Sequence, residues 1–443
     1  MNIVIIGNGN TGKSLADILS KKGHDIVIID SNYSKVNKVI DTFDVKAIWG
    51  NGTIYETQIK AGVAESDLTI AVTSSDETNL ISCMIAKQIG SKKVIAKVNN
   101  IDYSSQIEFM KNNFNLDFLI NTDKLVAYEI LKMIKYPNWL KVKPIGKESL
   151  IMSELVLKKG NKLINNCISD INKKYKDNVV LYALFRENKI FIPSKDDILN
   201  EKDTVCIVGK NDKLNSFFND IGIIENNTKS IIIVGGSNTS IYLANELSNM
   251  GIKVKIIEKD LNICKKLSQL VSRAKIINKD AKVQDVLIEE GINNTDVFIS
   301  MTESDEENTI ISLFASHCNV EKAITKLNDT SIINLLEFSN LNNFISPIDV
   351  ISNEIEQYIT QENISKNILY DNVNFLDFKA SKKDKVLGIP ISKLKIKSDV
   401  TIVAIFRNGN LIVPTGNDYI KINDNPIIAT KNKFLKHLDD ILC

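Results

Sequence analysis

The sequence predicts an α/β protein, a tandem duplication of a Rossmann-like, doubly wound parallel-sheet domain followed by a small α+β domain. The first observation behind this prediction is a set of three collinear internal matches at nearly constant spacing, which indicates two copies of one unit. Residues 3–12 (IVIIGNGNTG) return as 231–240 (IIIVGGSNTS), 72–79 (VTSSDETN) as 301–308 (MTESDEEN), and 185–193 (FRENKIFIP) as 406–414 (FRNGNLIVP). The second observation is that short apolar runs alternate with helical patterns inside the first copy.

The predicted strands of the first Rossmann-like domain are short, nearly continuous apolar runs. They comprise residues 3–6, 25–30, 46–49, 67–73, 93–98 and 117–120. Strands of this kind, separated by helices, are typical of a parallel sheet covered on both faces. The first helix has Leu15, Ile18 and Leu19 on one face and ends at Lys22-Gly23, because glycine readily takes the left-handed conformation after a helix end.

Beyond this sheet a helix over residues 123–136 ends at Pro137, and the pattern then changes to strands at 152–157, 179–186, 189–193 and 203–209 around one helix near 168–175. This pattern predicts a small α+β domain rich in βαβ connections. In the second copy the hairpin turns on Asn408-Gly409, a strong signal for a two-residue turn.

The predicted domain limits follow from these patterns. They are 1–122 for the first Rossmann-like domain, 123–140 for a connecting helix, 141–224 for the first small domain, 225–229 for a linker, 230–348 for the second Rossmann-like domain, 349–368 for a second connecting helix, and 369–443 for the second small domain.

Composition is that of a soluble globular protein, with 443 residues, 44% hydrophobic and 25% charged. Lysine and arginine total 55 against 54 for aspartate and glutamate, so the balance gives no support to a nucleic-acid partner. The six cysteines never form a CxxC pair, which indicates free thiols in a reducing compartment. The N-terminus lacks a signal-peptide pattern, and no apolar run reaches the roughly 18 residues that span a bilayer. We therefore expect a cytoplasmic protein.

The segment Gly7-Asn8-Gly9-Asn10-Thr11-Gly12 fits the pattern GxGxxG between a predicted strand and a predicted helix. Gly7 permits a tight turn, Gly9 lets the backbone approach a pyrophosphate, and Gly12 allows close packing of helix on strand. The helix N-terminus then offers N–H groups and a positive dipole end to phosphates. Asp30, at the end of the next strand, is placed to accept hydrogen bonds from a ribose diol and to repel a 2′-phosphate, which disfavours NADP. The alternative is a tight turn without a ligand.

The corresponding loop of the second copy, Gly235-Gly236-Ser237-Asn238-Thr239-Ser240, keeps the first glycine but has serine at the second and third glycine positions. Glu258 stands where Asp30 stands in the first copy. The ribose-binding acid is thus kept, while Ser237 and Ser240 obstruct the approach of a pyrophosphate. The sequence leaves open whether this loop is empty or occupied.

Three further segments flank the predicted site of the first copy. Asn51-Gly52-Thr53 follows the third strand near the expected adenine position, Thr73 and Ser74 follow the fourth strand, and Lys97 ends the fifth. Capping of the next helix alone explains Thr73 and Ser74 adequately, and the functional alternative is contact with a ribose, a phosphate or a divalent cation. Lys97 is a candidate for a phosphate contact, and a solvated lysine is the alternative.

Features of an enzyme are missing from the sequence. A dehydrogenase needs an acid or base beside its nicotinamide, but the chain has only three histidines. His24 lies in the turn before the second strand, His437 lies in the C-terminal helix, and His317 follows a helical pattern with no acidic partner at a matching spacing. No HxxxH pattern or Cys/His cluster indicates a zinc site, and no Walker lysine loop indicates nucleotide hydrolysis. We therefore expect neither catalytic residues nor a metal site.

Taken together, these residues make the chain resemble the TrkA family, the peripheral regulatory subunits of bacterial Trk potassium-uptake systems, in which each of two repeats combines an RCK N-terminal and an RCK C-terminal domain. The resemblance covers essentially the whole chain. The segments that carry it are IVIIGNGNTGKSLA with Asp30, WGNGT at 49–53, AVTSSDETNL at 71–80, IKYPN at 134–138, and the hairpins beginning Phe185-Arg186 and Phe406-Arg407.

The resemblance implies a homo-oligomer, dimer or tetramer, at the inner face of the cell membrane. Its partner would be an integral-membrane potassium translocation subunit, gated by nucleotide-dependent conformational change. It also implies that the helices at 123–136 and 346–358 serve as connectors and assembly contacts, or else as intramolecular core. Related single-repeat Ktr subunits, which favour ATP, carry arginine at the position of Asn10, so we expect NAD(H) at the first repeat, with ATP or ADP as alternatives. Asn51 stands where relatives often carry aspartate.

Two rival functions remain open from the sequence. One is regulation of another ion transporter of similar cytosolic design, and the other is an NAD-dependent oxidoreductase.

Overall fold

The structure, a computed structural model, separates into two compact units. One unit comprises Met1–Ile134 with Thr228–Glu354, and the other comprises Lys135–Asn227 with Ile355–Cys443. The structure describes all residues of the chain except 44, 105, 137–139, 146–149, 176–178, 187–188, 192–195, 224–227, 319, 330–340, 342, 361–363, 371–372, 398–399, 408–409, 413, 415, 431–434, 436 and 443.

The first unit begins with a six-stranded sheet and its flanking helices. In chain order these are β1 (Asn2–Ile6), α1 (Asn10–Lys21), β2 (Asp25–Asp30), α2 (Tyr33–Thr42), β3 (Lys46–Trp49), α3 (Tyr55–Lys60), β4 (Leu68–Ala71), α4 (Asp76–Ile89), β5 (Lys93–Lys97), α5 (Ile101–Ser104), α6 (Ile107–Asn113) and β6 (Phe118–Ile120). The strand order is β3-β2-β1-β4-β5-β6, and every recorded pairing in it is parallel. This is the Rossmann order, in which the direction of winding reverses between β1 and β4 and ligands bind at the carboxyl ends of the strands.

A second sheet repeats this topology within the same unit. Its elements are β12 (Ser230–Val234), α10 (Asn238–Asn249), β13 (Lys253–Glu258), α11 (Leu261–Leu270), β14 (Lys275–Asn278), α12 (Gln284–Glu289), β15 (Val297–Ser300), α13 (Asp305–His317), β16 (Lys322–Lys326) and β17 (Phe344–Ile345). The order β14-β13-β12-β15-β16-β17 is again parallel throughout its recorded pairings. The predicted duplication of a Rossmann-like domain is therefore confirmed.

Helix α7 (Thr122–Lys135) follows the first sheet but packs on the second one. Its buried residues Val126, Ala127, Ile130 and Ile134 belong to the same hydrophobic cluster as residues of β12, α10 and β15. The ammonium group of Lys322 also donates to the carbonyl of Met133 at 2.5 Å. The apolar face of this helix is thus core between the two Rossmann domains, which was one of the two alternatives left by the sequence.

The second unit holds two small sheets. The first contains β7 (Leu140–Ile145), β8 (Leu150–Val156), α8 (Ile168–Lys174), β9 (Val179–Arg186), β10 (Lys189–Phe191), β11 (Thr204–Lys210) and α9 (Asn211–Asp220), and the second contains β18 (Ile364–Tyr370), β19 (Val373–Phe378), β20 (Val400–Arg407), β21 (Asn410–Ile412) and β22 (Asn425–Thr430). The orders β10-β9-β11-β8-β7 and β18-β19-β22-β20-β21 describe the same topology. All recorded pairings in both sheets are antiparallel, and the α+β class of the small domains is confirmed. In the first small sheet β8 and β9 both pair with β11, so they run parallel to each other, and their connection through α8 is a βαβ connection of the expected kind.

The second connecting helix is shorter than predicted. Helix α14 (Pro347–Thr360) ends before residue 368, and residues 364–368 already belong to strand β18. The strand was misassigned because its short sequence, ISKNILY, has no period-2 alternation that would distinguish it from the end of a helix. The predicted turn at Asn408-Gly409, and most of the predicted linker, lie outside the described residues.

The repeated Phe-Arg pair of the small domains is explained by a duplicated ion pair. Arg186 donates from Nε and Nη2 to the two carboxylate oxygens of Asp203 at 2.8 and 2.7 Å. Arg407 makes the same fork with Asp424 at 2.9 and 2.7 Å. Both aspartates are buried, and a two-pronged arginine contact is the geometry that satisfies a buried carboxylate best. This part of the repeat is structural.

Candidate functional site

The glycine loop of the first repeat lies at the carboxyl end of β1, where the winding of the sheet reverses. Gly7 has φ +105°, a conformation that favours glycine, and a Cβ on Gly12 would lie 1.8 Å from the Gly7 carbonyl oxygen. At Gly9, in contrast, no heavy atom lies within 4 Å of the position that a Cβ would take. Gly7 and Gly12 are therefore required by the backbone conformation and close packing of this loop, whereas Gly9 borders open space.

The N-terminus of α1 faces this open space without a side-chain cap. Its N-cap residue is Gly9, and no side chain in the described part of the chain accepts a hydrogen bond at this cap. Asn10, the first helical residue, is exposed, and Thr11 is half-buried. The first turn of a helix carries N–H groups with no partner inside the helix, together with the positive end of the dipole. This end of α1 can therefore bind an anion.

Asp30, the last residue of β2, lies directly against the loop. Its carboxylate accepts hydrogen bonds from the backbone N–H groups of Asn8 at 2.6 Å and Asn32 at 2.8 Å. The side chain is half-buried. Because each carboxylate oxygen can accept more than one hydrogen bond, Asp30 can hold the loop and still bind a hydroxyl pair.

The turn after β3 contains Asn51, Gly52 and Thr53, and it adjoins the same edge of the sheet. Asn51 Oδ1 accepts from both the backbone N–H and the hydroxyl of Thr53, each at 3.0 Å. A Cβ on Gly52 would lie 2.2 Å from Cγ2 of Ile6, the residue before Gly7. The turn therefore packs against the base of the glycine loop, and only glycine fits there.

Thr73 belongs to a set of hydrogen bonds that joins the ends of β4 and β5. Its N–H and hydroxyl both donate to Asn79 Oδ1, at 2.8 and 2.7 Å, and Asn79 Nδ2 donates to the Lys97 carbonyl at 2.9 Å. Ser75, not Ser74, caps α4 by accepting from the Thr78 N–H. The second repeat has the equivalent bonds from the Thr302 N–H to Asn308 Oδ1 and from Asn308 Nδ2 to the Lys326 carbonyl, so the repeated motif at 72–79 and 301–308 is explained by local structure. Ser74 is exposed at the edge of the site.

Lys97, the last residue of β5, is half-buried. Burial lowers the pKa of its ammonium group, against the opposing effects of Asp76 and Asp123. Lys326, the equivalent residue of the second repeat, has a lowered pKa for the same reason, and Asp123 is again a nearby carboxylate. Asp123 therefore lies near two partly desolvated lysines, one from each Rossmann domain.

The glycine loop of the second repeat is closed by its own side chains. Ser237 and Ser240 form a capping box, in which Ser237 Oγ accepts from the Ser240 N–H and the Ser240 hydroxyl in turn accepts from the Ser237 N–H. Glu258 accepts from the Gly236 N–H at 2.7 Å, as Asp30 does from Asn8. Gly235 has φ +102°, close to that of Gly7. The backbone shape of the loop is thus kept, but its helix N-terminus is capped.

The first repeat also covers this second loop. The hydroxyl of Thr239 donates to Asp123 Oδ1 at 2.7 Å, and Asn121 Nδ2 donates to the Tyr242 hydroxyl at 3.2 Å. Asn238 is half-buried and Thr239 is buried, whereas the equivalent Asn10 and Thr11 of the first loop are exposed and half-buried. The predicted site residues therefore lie at the carboxyl edges of two different sheets, one in each repeat. The two edges differ in their exposure to solvent.

Sequence reasoning missed Asn8, Gln58 and Asp123. Asn8 is buried and donates from Nδ2 to the Lys35 carbonyl at 2.8 Å, which ties the loop to α2. The second copy has Gly236 at the position of Asn8 and Leu287 at that of Gln58. A comparison of the two copies could have found Asn8 and Gln58, because each is polar where the other copy has a glycine or an apolar residue. Asp123 can be recognised only from its contacts with the second Rossmann domain.

The described residues hold no group of three or more His, Cys, Asp or Glu side chains arranged to bind a metal ion. Of the helices in the described ranges, none is long and apolar enough to cross a membrane.

The fold and the two loop sites define a tandem Rossmann protein in which each repeat carries an additional small domain. The TrkA-N domain family matches residues 3–116 and 231–347, more than half of the chain, and the TrkA-C domain family matches residues 152–222. The chain therefore belongs to the TrkA-N domain family, and the resemblance stated from its motifs is confirmed.

Similar proteins span the full length of the chain. A Trk system potassium uptake protein TrkA homolog from Archaeoglobus fulgidus is 29% identical, with 100% of each chain covered. TrkA homolog 1 from Methanosarcina mazei is 28% identical over 97% of each chain, and TrkA from Haemophilus influenzae is 25% identical over 98% of this chain and 96% of its own.

Solved structures with the same fold include the GsuK RCK domain, with a TM-score of 0.65, 17% identity and coverage of 97% of this chain and 92% of that one. The GsuK channel bound to NAD has a TM-score of 0.67 at 16% identity, covering 97% of this chain and 76% of that one.

Proposed function

We propose that this chain is a nucleotide-sensing regulatory subunit of a potassium uptake transporter. The observation that carries the proposal is the uncapped N-terminus of α1, which borders open space at Gly9 beside the carboxylate of Asp30. The full-length relatives named as Trk system potassium uptake proteins support the transport role. The predicted absence of catalytic residues is consistent with regulation without turnover.

The ligand proposed for the first repeat is NAD(H). A pyrophosphate would accept hydrogen bonds from the first turn of α1, and a ribose diol would donate to Asp30. A 2′-phosphate would meet the Asp30 carboxylate, so NADP is disfavoured. ADP and ATP offer the same phosphate and ribose groups and are the alternative ligands. The fold shared with the GsuK channel bound to NAD supports this class of ligand.

We propose further that the second loop binds no nucleotide in the resting protein. Ser237 and Ser240 satisfy each other at the N-terminus of α10, and Asp123 supplies a carboxylate to Thr239 in the same turn. A helix N-terminus attracts negative charge, and at α10 the carboxylate of Asp123 already provides it. A phosphate would have to displace Asp123 and break the capping box.

Signal transmission is proposed to run through α7. This helix begins two residues after β6 of the first sheet, and its apolar face lies in the core of the second Rossmann domain. A nucleotide that binds one arrangement of these domains better than another shifts their equilibrium by its difference in affinity, typically ~1–3 kcal/mol. The proposed recipient is an integral-membrane potassium translocation subunit. The proposed assembly is a homo-oligomer, dimer or tetramer, in the cytoplasm at the inner face of the membrane.

Calorimetric titration of the full chain with NADH, NAD, ADP and ATP tests the proposal. We expect one equivalent of nucleotide per chain, no change in NADH absorbance over time, and impaired potassium uptake in cells that lack the protein. Absence of binding for all four ligands would overturn nucleotide sensing, and substrate-dependent oxidation of NADH would favour an oxidoreductase. Normal potassium uptake together with a defect in transport of another ion would indicate a different transporter.

The closed state of the second loop is tested with three further proteins. These are the double variant Ser237→Gly/Ser240→Gly, the single variant Asp123→Ala, and the combination of all three changes. We expect a second equivalent of nucleotide in the combined variant alone. A second equivalent in the wild type, or in the double variant with Asp123 intact, would contradict the role given to Asp123.

A further inference from the structure

Gln58 is a buried polar residue beneath the turn that follows β3. It lies on α3 and is fully buried, and its side-chain amide donates to the Gly52 carbonyl at 2.6 Å and to the Ser82 carbonyl at 2.9 Å. Its Oε1 atom has no hydrogen-bond partner among the described residues, and neither has the buried hydroxyl of Ser82. Buried polar atoms without partners destabilise a fold. Gln58 and Ser82 are therefore not the most stable choice at these positions.

The second repeat has an apolar arrangement at the same place. The residues equivalent to Gly52, Gln58 and Ser82 are Ala281, Leu287 and Ile311. All three are buried in one hydrophobic cluster. The same fold thus forms with an apolar trio, so the polar trio of the first repeat is not needed for folding. It occurs in the repeat whose glycine loop is open.

We infer that Gln58 is a positioning residue that holds the turn Asn51-Gly52-Thr53 for recognition of the nucleotide base in the first repeat. The inference rests on the proposed function and names a determinant of its specificity. Gln58 donates a hydrogen bond to the Gly52 carbonyl, and Ile6, next to the glycine loop, packs against Gly52. These two contacts fix the position of the turn relative to the glycine loop that would bind the pyrophosphate.

The position of the turn relative to Asp30 assigns it to the base. The Gly50 N–H donates to the Asp30 carbonyl at 3.0 Å, and Trp49 is the direct neighbour of Asp30 in the parallel pair of β2 and β3. In a Rossmann site the pyrophosphate lies at the loop after β1 and the ribose at the acid that ends β2. The next group along the nucleotide is the base, and the next loop along the sheet is this turn.

The variant Gln58→Leu tests the inference, because it introduces the residue that the second repeat carries at the equivalent position. We expect its affinity for ADP to fall about tenfold, as for one lost hydrogen bond that orders the site. The affinity for UDP should change less, so that the preference for ADP over UDP shrinks. The melting temperature should change little, because removal of the unpartnered Oε1 offsets the loss of the donor to the Gly52 and Ser82 carbonyls.

Ser82→Ala is the matched control, since it removes the unpartnered hydroxyl and leaves the carbonyl that accepts from Gln58. We expect wild-type affinity for ADP and equal or higher thermal stability. The inference is overturned if Gln58→Leu binds ADP as tightly as the wild type, or if it weakens ADP and UDP by the same factor. Failure of the wild-type chain to bind any nucleotide would instead refute the proposed function, so the two failures are distinguishable.

Discussion

Replacing Gly9 by alanine adds one methyl group at the point where a pyrophosphate would approach the backbone. Gly9 has φ −77° and ψ −174°, a conformation that alanine adopts without strain, and its added Cβ would meet no heavy atom within 4 Å. Loss of glycine flexibility in the unfolded chain then stabilises the protein by about 0.4–1 kcal/mol. The same methyl group would occupy space needed by the phosphates. We therefore expect unchanged or higher stability together with a loss of nucleotide affinity of about tenfold or more, equivalent to ~1.4 kcal/mol.

The assay pairs thermal unfolding with calorimetric titration of NADH and ADP on the same preparations. Gly12→Ala serves as the contrast, because its Cβ would lie 1.8 Å from the Gly7 carbonyl and the helix would have to move. That variant should lose stability as well as binding. Wild-type affinity in Gly9→Ala would refute the placement of the pyrophosphate at this loop, and a large loss of stability would refute the description of open space.

The two repeats supply matched pairs for the remaining predictions. Asp30→Ala should weaken nucleotide binding by roughly 1.5–3 kcal/mol through its lost hydrogen bonds to the ribose, whereas Glu258→Ala should leave binding unchanged in the same titration; equal losses would contradict the asymmetry of the loops. Arg407→Met should destabilise the chain by about 3–5 kcal/mol in urea unfolding because it leaves the buried Asp424 without its partner. Adding Asp424→Leu should recover most of that loss, and no recovery would mean that the ion pair is not the cause.

Helix α7 follows the first sheet but packs on the second, which bears on how a nucleotide at the proposed first site would act on the second Rossmann domain. Val126, Ile130 and Ile134 fill the core of the second domain, and Asp123 at the start of the same helix contacts its glycine loop. The second repeat therefore has the Rossmann fold, and its glycine loop contacts helix α7 of the first repeat. Ser237 and Ser240 are accommodated in that loop without loss of the Rossmann topology.

The sequence by itself determined the duplication, the parallel sheets and the position of each glycine loop. Apolar runs such as residues 3–6 and 231–234 are buried on both faces, and a short stretch of neighbouring residues carries that pattern. The turn at Gly7 and the acid at Asp30 are likewise predicted by a local sequence pattern, because strand, loop and helix are consecutive in the chain. Such features depend on near neighbours, so a single sequence contains them.

Only the tertiary structure decided which loop is open. The contact of Thr239 with Asp123 joins residues far apart in the chain, and nothing near either residue predicts it. The bonds of Gln58 to the Gly52 and Ser82 carbonyls likewise depend on how α3 packs against α4. The strand order of the small sheets could not be predicted for a related reason, since it is set by pairing partners and not by composition. Hydrophobic periodicity specifies which face of an element is buried, but the packing of distant elements decides which polar groups meet.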